Sequence, residues 1–491
     1  MISSVALLGT VLPGIFGVTL FLTSKYVRKT AGFIATAVSA SSFFLILSMA
    51  NPVANNLNSE QGSLASVYPW ISPVNISFGL LVDTVSFPIG LIIALVSTLS
   101  CLYSVRYMDR EANQAGYYAN LLIFMTGMIG VVFSSNLIQF YLFWELMLIP
   151  SCILIARWGK SRRRLRIAFK YFIFTHIGAL LLLLGILSIF SYTMTFDLVE
   201  LPSKLATIPP NMTMMIFIFL LLGFFVKMAA FPLHTWLPDT YSAAPIPVTA
   251  MLSGAMAKCG AYGIARILLP MFTQRMMQFS DWILIFGIIT MLYGGLITFA
   301  QTDLNRMLAY SSMSQMGYII FGFGTATTLG IMGSLLHIAN HAVSKSLLFL
   351  CAGTIAQQTG TRDIRRLTGL MSKMPATGFA FLIGALSLAG IPPLNGFWSE
   401  WMIFGGGLSS GKIILTFLGV ATAMITPSYF IWFSRKILLG TSSRADITEA
   451  PRSYLLPILA LTSISIVLGI WPSLLLEFIA PAARLLCLDH P

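Results

Sequence analysis

Glu145, Lys227 and Lys258, with Glu400 as a fourth, each stand inside an apolar stretch long enough to cross a bilayer. A charge at bilayer depth costs about 2.5–3.5 kcal/mol even on a lenient insertion scale, and such residues mark ion pathways. Glu145 lies in Phe143-Trp144-Glu145-Leu146-Met147 with no cation within four positions, so its partner must come from another helix. Lys227 is the expected partner. Desolvation and pairing pull a buried Glu–Lys contact in opposite directions, which makes it a candidate proton switch. Lys258, on the next apolar stretch, can take or return the proton. His337 and His341 are four apart and share one helix face with Lys345 a turn further on, forming a polar stripe in an apolar helix. No third ligand and no intervening Glu accompanies them as in a metalloprotease helix, so proton relay is preferred to zinc. The structural alternatives are a fixed ion pair for Glu145 and Lys227, hydrogen-bonded packing for the histidines, and an interfacial position beside Trp398 and Trp401 for Glu400. His176 and His234 are weaker candidates that would satisfy freed backbone carbonyls. Asp239, after Pro238, reads as a helix cap with a secondary role in gating proton uptake.

The elements that must position these residues are membrane helices. The 491 residues are 57% hydrophobic and 9% charged, with a mean hydropathy of +0.86, more apolar than a water-facing core can absorb. Apolar runs of roughly 18–25 residues without period-2 alternation predict an all-α polytopic membrane protein with no soluble domain. The net charge of +13 sits in short loops, which argues for membrane orientation and against nucleic acid. The five cysteines are scattered, with no spacing suited to zinc or an iron–sulfur cluster. Met1 to Leu22 lacks a basic start and a cleavage site and is expected to stay as a first span.

Spans are predicted near 2–22, 31–49, 78–103, 116–134, 137–156, 167–193, 211–236, 245–268, 281–300, 304–323, 326–357, 376–406, 412–436 and 453–472. Alternate loops carry the basic residues: Lys25, Arg28 and Lys29; Arg106 and Arg110; Arg157 through Arg166; Arg306; Arg362 through Lys373; Arg435, Lys436 and Arg444. That face is expected to be cytoplasmic, with both termini on the other side. Phe231-Pro232-Leu233-His234 after Lys227, and Gly390-Ile391-Pro392-Pro393-Leu394-Asn395-Gly396 before Glu400, predict broken seventh and twelfth helices. Paired breaks suggest an inverted repeat of five helices, with Lys227 and Glu400 in related places. The expected organisation is 1–115, an N-terminal three-helix segment; 116–280 and 281–440, the two repeats; and 441–491, a C-terminal helix and tail.

Motifs then accumulate in order: Gly223-Phe224-Phe225-Val226-Lys227 running into Phe231-Pro232-Leu233-His234-Thr235-Trp236-Leu237-Pro238-Asp239, then Leu252-Ser253-Gly254 and Lys258 with Tyr262-Gly263. Gln301-Thr302-Asp303-Leu304-Asn305-Arg306, Ala309-Tyr310-Ser311-Ser312-Met313-Ser314-Gln315-Met316-Gly317-Tyr318 and Asn340-His341-Ala342 through Lys345-Ser346-Leu347-Leu348-Phe349 follow. Over nearly its whole length the chain resembles the antiporter-like subunits of respiratory complex I and its relatives. The resemblance implies fourteen helices with two inverted five-helix repeats, in a protein that moves protons while a separate arm does redox chemistry. It maps the pumping residues onto Glu145, Lys227, Lys258, His337 or His341, and Glu400. Glu400 and the Lys258 motif look like the M-type subunit, chain 4 of the quinone-reducing enzymes. Pro392 through Trp401 and the His341–Phe349 motif look more like membrane-bound hydrogenase and multisubunit sodium/proton antiporter subunits. The L type is disfavoured, because the chain ends soon after the fourteenth span without a long lateral helix.

The resemblance further implies NAD(P)H, reduced deazaflavin or ferredoxin as donor and a quinone-like acceptor. No cofactor or metal is expected in this chain; flavin, iron–sulfur clusters or a nickel–iron site are expected in partner subunits. The expected partners are other antiporter-like and small membrane subunits, a redox arm, the lipid bilayer, and protons with sodium as an alternative. An inner (plasma) membrane or an energy-transducing organellar or thylakoid membrane is the expected location.

Overall fold

The structure, a computed structural model, describes residues 2–27, 29–55, 64–71, 76–441 and 447–487. Arg28 and Arg444 of the basic loops lie outside them. Among the described residues, eleven helices are long and apolar enough to cross a membrane. The other three expected spans fall on helical stretches of different character. Leu304–Gly324 is 21 residues long but carries Asn305, Ser311, Ser312, Ser314 and Gln315, which lower its hydropathy. The stretch 246–271 is interrupted by π-helical turns at Leu252–Met256 and Ile264–Leu268. The twelfth expected span is split into Pro375–Leu388 and Asn395–Ser409. The seventh, expected to run to residue 236, is helical only over Pro210–Met228.

Thr328–Thr359, the 32-residue helix bearing both histidines, runs through the centre with its apolar window wholly buried. It packs against Leu304–Gly324, Pro375–Leu388, Asn395–Ser409, Arg452–Ile470 and Ser473–Leu486. Two elements depart from the expected pattern. Leu64–Ile71 and Ile76–Val82 form an antiparallel hairpin, whose ladder satisfies the backbone of a loop between spans. It is tied down by Gly79 N–H donating to Gln139 Oε1 (2.9 Å) and by Asn136 Nδ2 donating to the Ser77 carbonyl (2.5 Å). Beyond the last expected span, Ser473–Leu486 forms a further helix, with Phe478 5.0 Å from Phe87, ring centre to ring centre.

Both broken helices end in the same hydrogen-bond pattern. Ala229 is left-handed (φ 54°); its amide donates to the Val226 carbonyl (3.1 Å) and that of Ala230 to Phe225 (3.0 Å). Gly390 is left-handed too (φ 66°); its amide donates to Ser387 (3.1 Å) and that of Ile391 to Leu386 (3.2 Å). This pairing closes the last carbonyls of a helix around a left-handed residue. Leu233 N–H to the Ala230 carbonyl (2.6 Å) and Leu394 N–H to Ile391 (3.0 Å) continue the match, and Phe231-Pro232 and Pro392-Pro393 are both cis. In this alignment Lys227 precedes its break and Glu400 follows its own, so the two do not hold matching places. The residue matching Glu400 is Asp239.

A second match joins helix starts to distant loops. Asn136 caps Leu137–Trp158 by accepting from Gln139 N–H (2.8 Å), and Asp303 caps Leu304–Gly324 by accepting from Arg306 N–H (3.0 Å). Leu137 N–H donates to the Phe196 carbonyl and Leu304 N–H to Arg362, each at 2.9 Å. Leu198 N–H returns to Ser135 (2.9 Å) and Ile364 N–H to Thr302 (2.8 Å). The first junction lies by the hairpin. The second lies on the basic-loop face, where Arg362 Nη1 donates to the Ser242 carbonyl (2.8 Å) and Lys160 N–H to the neighbouring Ala243 (2.9 Å).

Candidate functional site

Lys227 occupies the last turn before the first break and is 1% exposed. Its Nζ lies 5.2 Å from the ring centre of Trp144 and has no hydrogen-bond acceptor among the described residues. The expected Glu145–Lys227 ion pair is not formed. Glu145 Oε1 lies 3.4 Å from His176 Nδ1 instead. The reason is helical geometry: successive residues are turned about 100° from one another, so with Trp144 facing Lys227, Glu145 faces Arg164–Thr193. His176, stacked on Phe172 with ring centres 5.3 Å apart, thus partners a carboxylate rather than a backbone carbonyl.

Around Lys258 and along the central helix the polar groups connect. Lys258 lies on a single α-helical stretch, Ala257–Gly263, between the two π-helical turns. Its Nζ donates to the Ser253 carbonyl (2.5 Å) and to His341 Nδ1 (2.5 Å). That carbonyl lies in the π-helical turn Leu252–Met256, a kind of turn frequent at functional sites and without signal in the sequence. The rings of His341 and His337 stack 5.9 Å apart at 8°. His337 bonds to Ser399 Oγ and Gln315 Oε1, both at 2.9 Å, and so joins the central helix to the half-helix that carries Glu400. Asn340 Nδ2 donates to the Asn395 carbonyl (2.7 Å) at the start of that half-helix. Lys345, one turn beyond His341, donates to Ser311 Oγ and to the Leu308 carbonyl. Ser253 and Ser312 meet at 3.0 Å.

Glu400 packs over the second break. A Cβ on Gly390 would come within 2.5 Å of Glu400 Oε2, so this position needs glycine for clearance as well as for its φ. Oε1 is buried without a hydrogen-bond partner. Trp398 points elsewhere, donating from Nε1 to the Gly469 carbonyl (2.8 Å), and Trp401 is exposed.

Asp239 does not cap its helix. It bridges Lys170 (2.8 Å) and Arg306 (2.9 Å). His234 lies between Phe231 and Tyr293. On the basic-loop face, the side-chain hydrogen bond from Arg365 holds the Asp363 carboxyl down at about 2. Asp83 and Arg266 form a two-pronged pair (2.7 and 2.5 Å), with Arg266 Nε also donating to Tyr262 Oη (2.9 Å); the sequence reading missed Asp83. It also passed over Ser253, Ser399, Asn340 and Asn395 as site residues, because Ser and Asn in apolar helices usually mark packing. Gly260 and Gly263 do serve packing: a Cβ on either would strike Met228 or the Phe224 ring.

The chain matches the family described as "NADH:quinone oxidoreductase/Mrp antiporter, TM" over residues 134–426. Residues 70–118 match the N-terminus of complex I chain 5. It is 33% identical over 446 residues to NAD(P)H-quinone oxidoreductase chain 4 of the Chlorokybus atmophyticus chloroplast, covering 88% of this chain and 86% of the relative. It is 35% identical over 457 residues to a Na(+)/H(+) antiporter subunit of Alkalihalophilus pseudofirmus, covering 86% of this chain and 56% of that longer protein. In solved structures the fold is that of a chain of the Mrp complex from Dietzia (TM-score 0.88, 23% identity, 100% of this chain and 98% of that one). It also matches a chain of Thermus thermophilus respiratory complex I (TM-score 0.87, 24% identity, 98% and 99%).

Proposed function

The chain belongs to the NADH:quinone oxidoreductase/Mrp antiporter membrane-subunit family, and from that premise we propose that it is a proton-translocating subunit of a redox-driven, complex I-like assembly. The observation that carries the proposal is the hydrogen bond between Lys258 Nζ and His341 Nδ1 inside a buried polar run that continues through His337 to Ser399. A proton leaving the Lys258 ammonium arrives on the ring nitrogen of His341, which changes from imidazole to imidazolium while Lys258 becomes a neutral amine. His341 then gives up a proton from Nε2, which has no hydrogen-bond partner, after a ring rotation that brings it to His337, and His337 passes a proton to Ser399 at the start of the Glu400 half-helix. Lys227, without an acceptor beside Trp144, is the group whose charge can be set by Glu145 across the first half.

In this reading the basic-loop face is cytoplasmic, both termini face the other side, and fourteen spans cross the bilayer. The matched helix ends and capped junctions support inverted repeats at 116–280 and 281–440. Redox groups, whether flavin, iron–sulfur or nickel–iron, sit in partner subunits, and the chain supplies only the ion path. Sodium/proton antiport is the second reading, favoured by the likeness to the Alkalihalophilus antiporter protein. The Lys and His run suits protons better, since sodium needs several oxygen ligands. The test is proton and sodium flux in vesicles holding the intact complex, comparing the native chain with Lys227→Ala at equal driving-reaction rate. Lost proton flux with assembly preserved supports the proposal; sodium flux lost in its place favours the antiporter.

A further inference from the structure

On the basic-loop face a cavity of about 240 Å³ opens between the two halves, lined among others by Tyr107, Lys160, Asn305, Gln357, Thr361 and Arg362. Asn305 is fully buried, yet neither its amide nitrogen nor its oxygen has a hydrogen-bond partner. A buried, unpaired donor is rare enough to need an explanation. Lys160 has no carboxylate partner among the described residues and rests 4.4 Å from the ring centre of Tyr107. Arg362 is held in place by Asp303 (3.3 Å) and the Ser242 carbonyl.

The opposite face provides an internal control. The matching capped junction borders a cavity of about 270 Å³ lined by Ser77, Asn136, Thr195, Asp197, Glu200 and Lys204 among others. There Phe196 makes the backbone bond that Arg362 makes here, and two carboxylates reach the space. The backbone therefore does not demand cations at this junction. A well that gathers hydronium would also favour carboxylates over two cations, since like charges repel.

We propose that the cavity between Lys160, Asn305 and Arg362 binds a phosphate-bearing anion. Lys160 and Arg362 supply the charge, and the Asn305 amide supplies a directional donor to one oxygen, a charge-assisted arrangement suited to phosphate. Lys160 comes from the loop before Arg164–Thr193 and Arg362 from the loop after Thr328–Thr359, so the bound anion ties the two halves together. The proposal does not depend on proton transport. The phosphate can belong to a lipid head group of the adjoining leaflet or to a soluble ion.

The test is the thermal unfolding midpoint of the intact complex, titrated separately with inorganic phosphate and with phosphatidylglycerol in phosphatidylcholine nanodiscs. A saturable rise with phosphate identifies a soluble ligand, and a rise with phosphatidylglycerol alone identifies a lipid head group; either supports the site. Lys160→Gln is expected to weaken the apparent affinity about tenfold or more, Asn305→Asp to abolish it, and Arg163→Gln, exposed in the same loop, to leave it unchanged. If Asn305→Asp fails to assemble, Lys160→Gln alone decides. No shift with either probe, or a shift that survives Lys160→Gln, overturns the proposal. Asn305→Asp that keeps proton flux with no probe effect in the native complex would make the cavity a proton well instead.

Discussion

The stretches before and after residue 280 repeat two backbone features and differ in the side chains placed beside them. Around Ala229 and Gly390 the helices end with the same hydrogen bonds, and Asn136 and Asp303 cap equivalent helices tied to equivalent loops. Yet the first half holds an isolated ammonium, Lys227, over Trp144, and a Glu145–His176 pair at the half-buried edge. The second half places His341, His337 and Ser399 in a polar run that reaches back by hydrogen bonds to Lys258 and Ser253 of the first half, with the two histidine rings in contact by stacking alone. Irregular backbone at membrane depth is tolerated where protein or a wet cavity surrounds it.

The largest test of this contrast is His341→Leu, which removes the acceptor of Lys258 and leaves that ammonium buried with only the Ser253 carbonyl. Proton flux in vesicles is expected to fall about 100-fold, the lower range for losing a positioned acid–base group. His176→Asn in the first half should lower it far less.

The matched breaks make a second pair. Gly390→Ala adds a Cβ 2.5 Å from Glu400 Oε2 at φ 66° and should cost about 1–3 kcal/mol, read as a lowered unfolding midpoint. Ala229→Gly, at the same place in the other half, should leave the midpoint level or slightly raise it, because glycine relieves the left-handed conformation. Equal losses at both positions would break the correspondence.

A smaller effect separates the partners of Glu145. In a double-mutant cycle on flux, Glu145→Gln and His176→Asn should couple by at least about 0.5 kcal/mol, as residues in contact do. Glu145→Gln with Lys227→Met should couple less. The reverse order would restore the pair expected from sequence. Smallest of all, Asp363→Asn on the basic-loop face should leave flux unchanged. Its carboxyl is held down at about 2 by the Arg365 hydrogen bond, so any stability it contributes is present above the ordinary carboxylate pKa and is lost only as pH falls through about 2. An acid unfolding series on both proteins would reveal it.

Lys258 and His341 of the run, and Glu400 beside it, were legible because they stand out against apolar surroundings, and both breaks were announced by proline. The partner of Glu145 was not legible: a sequence places a residue on its own helix but not its direction toward a second. The π-helical turns beside Lys258 leave no compositional trace, and the Ser399 and Asn395 contacts use residues common in helix packing. The paired strands Leu64–Ile71 and Ile76–Val82 escaped because their neighbours set an expectation of helices throughout.

If protons cross through the run from Lys258 to Ser399, Lys258 is the residue whose charge they cannot do without. Proton and sodium flux in vesicles of the intact complex, native against Lys258→Met at matched driving-reaction rate, decides the matter. Proton flux should be lost while the complex still assembles. Unchanged flux of both ions would refute the proton path and make Lys258 and the histidines a structural hydrogen-bond network.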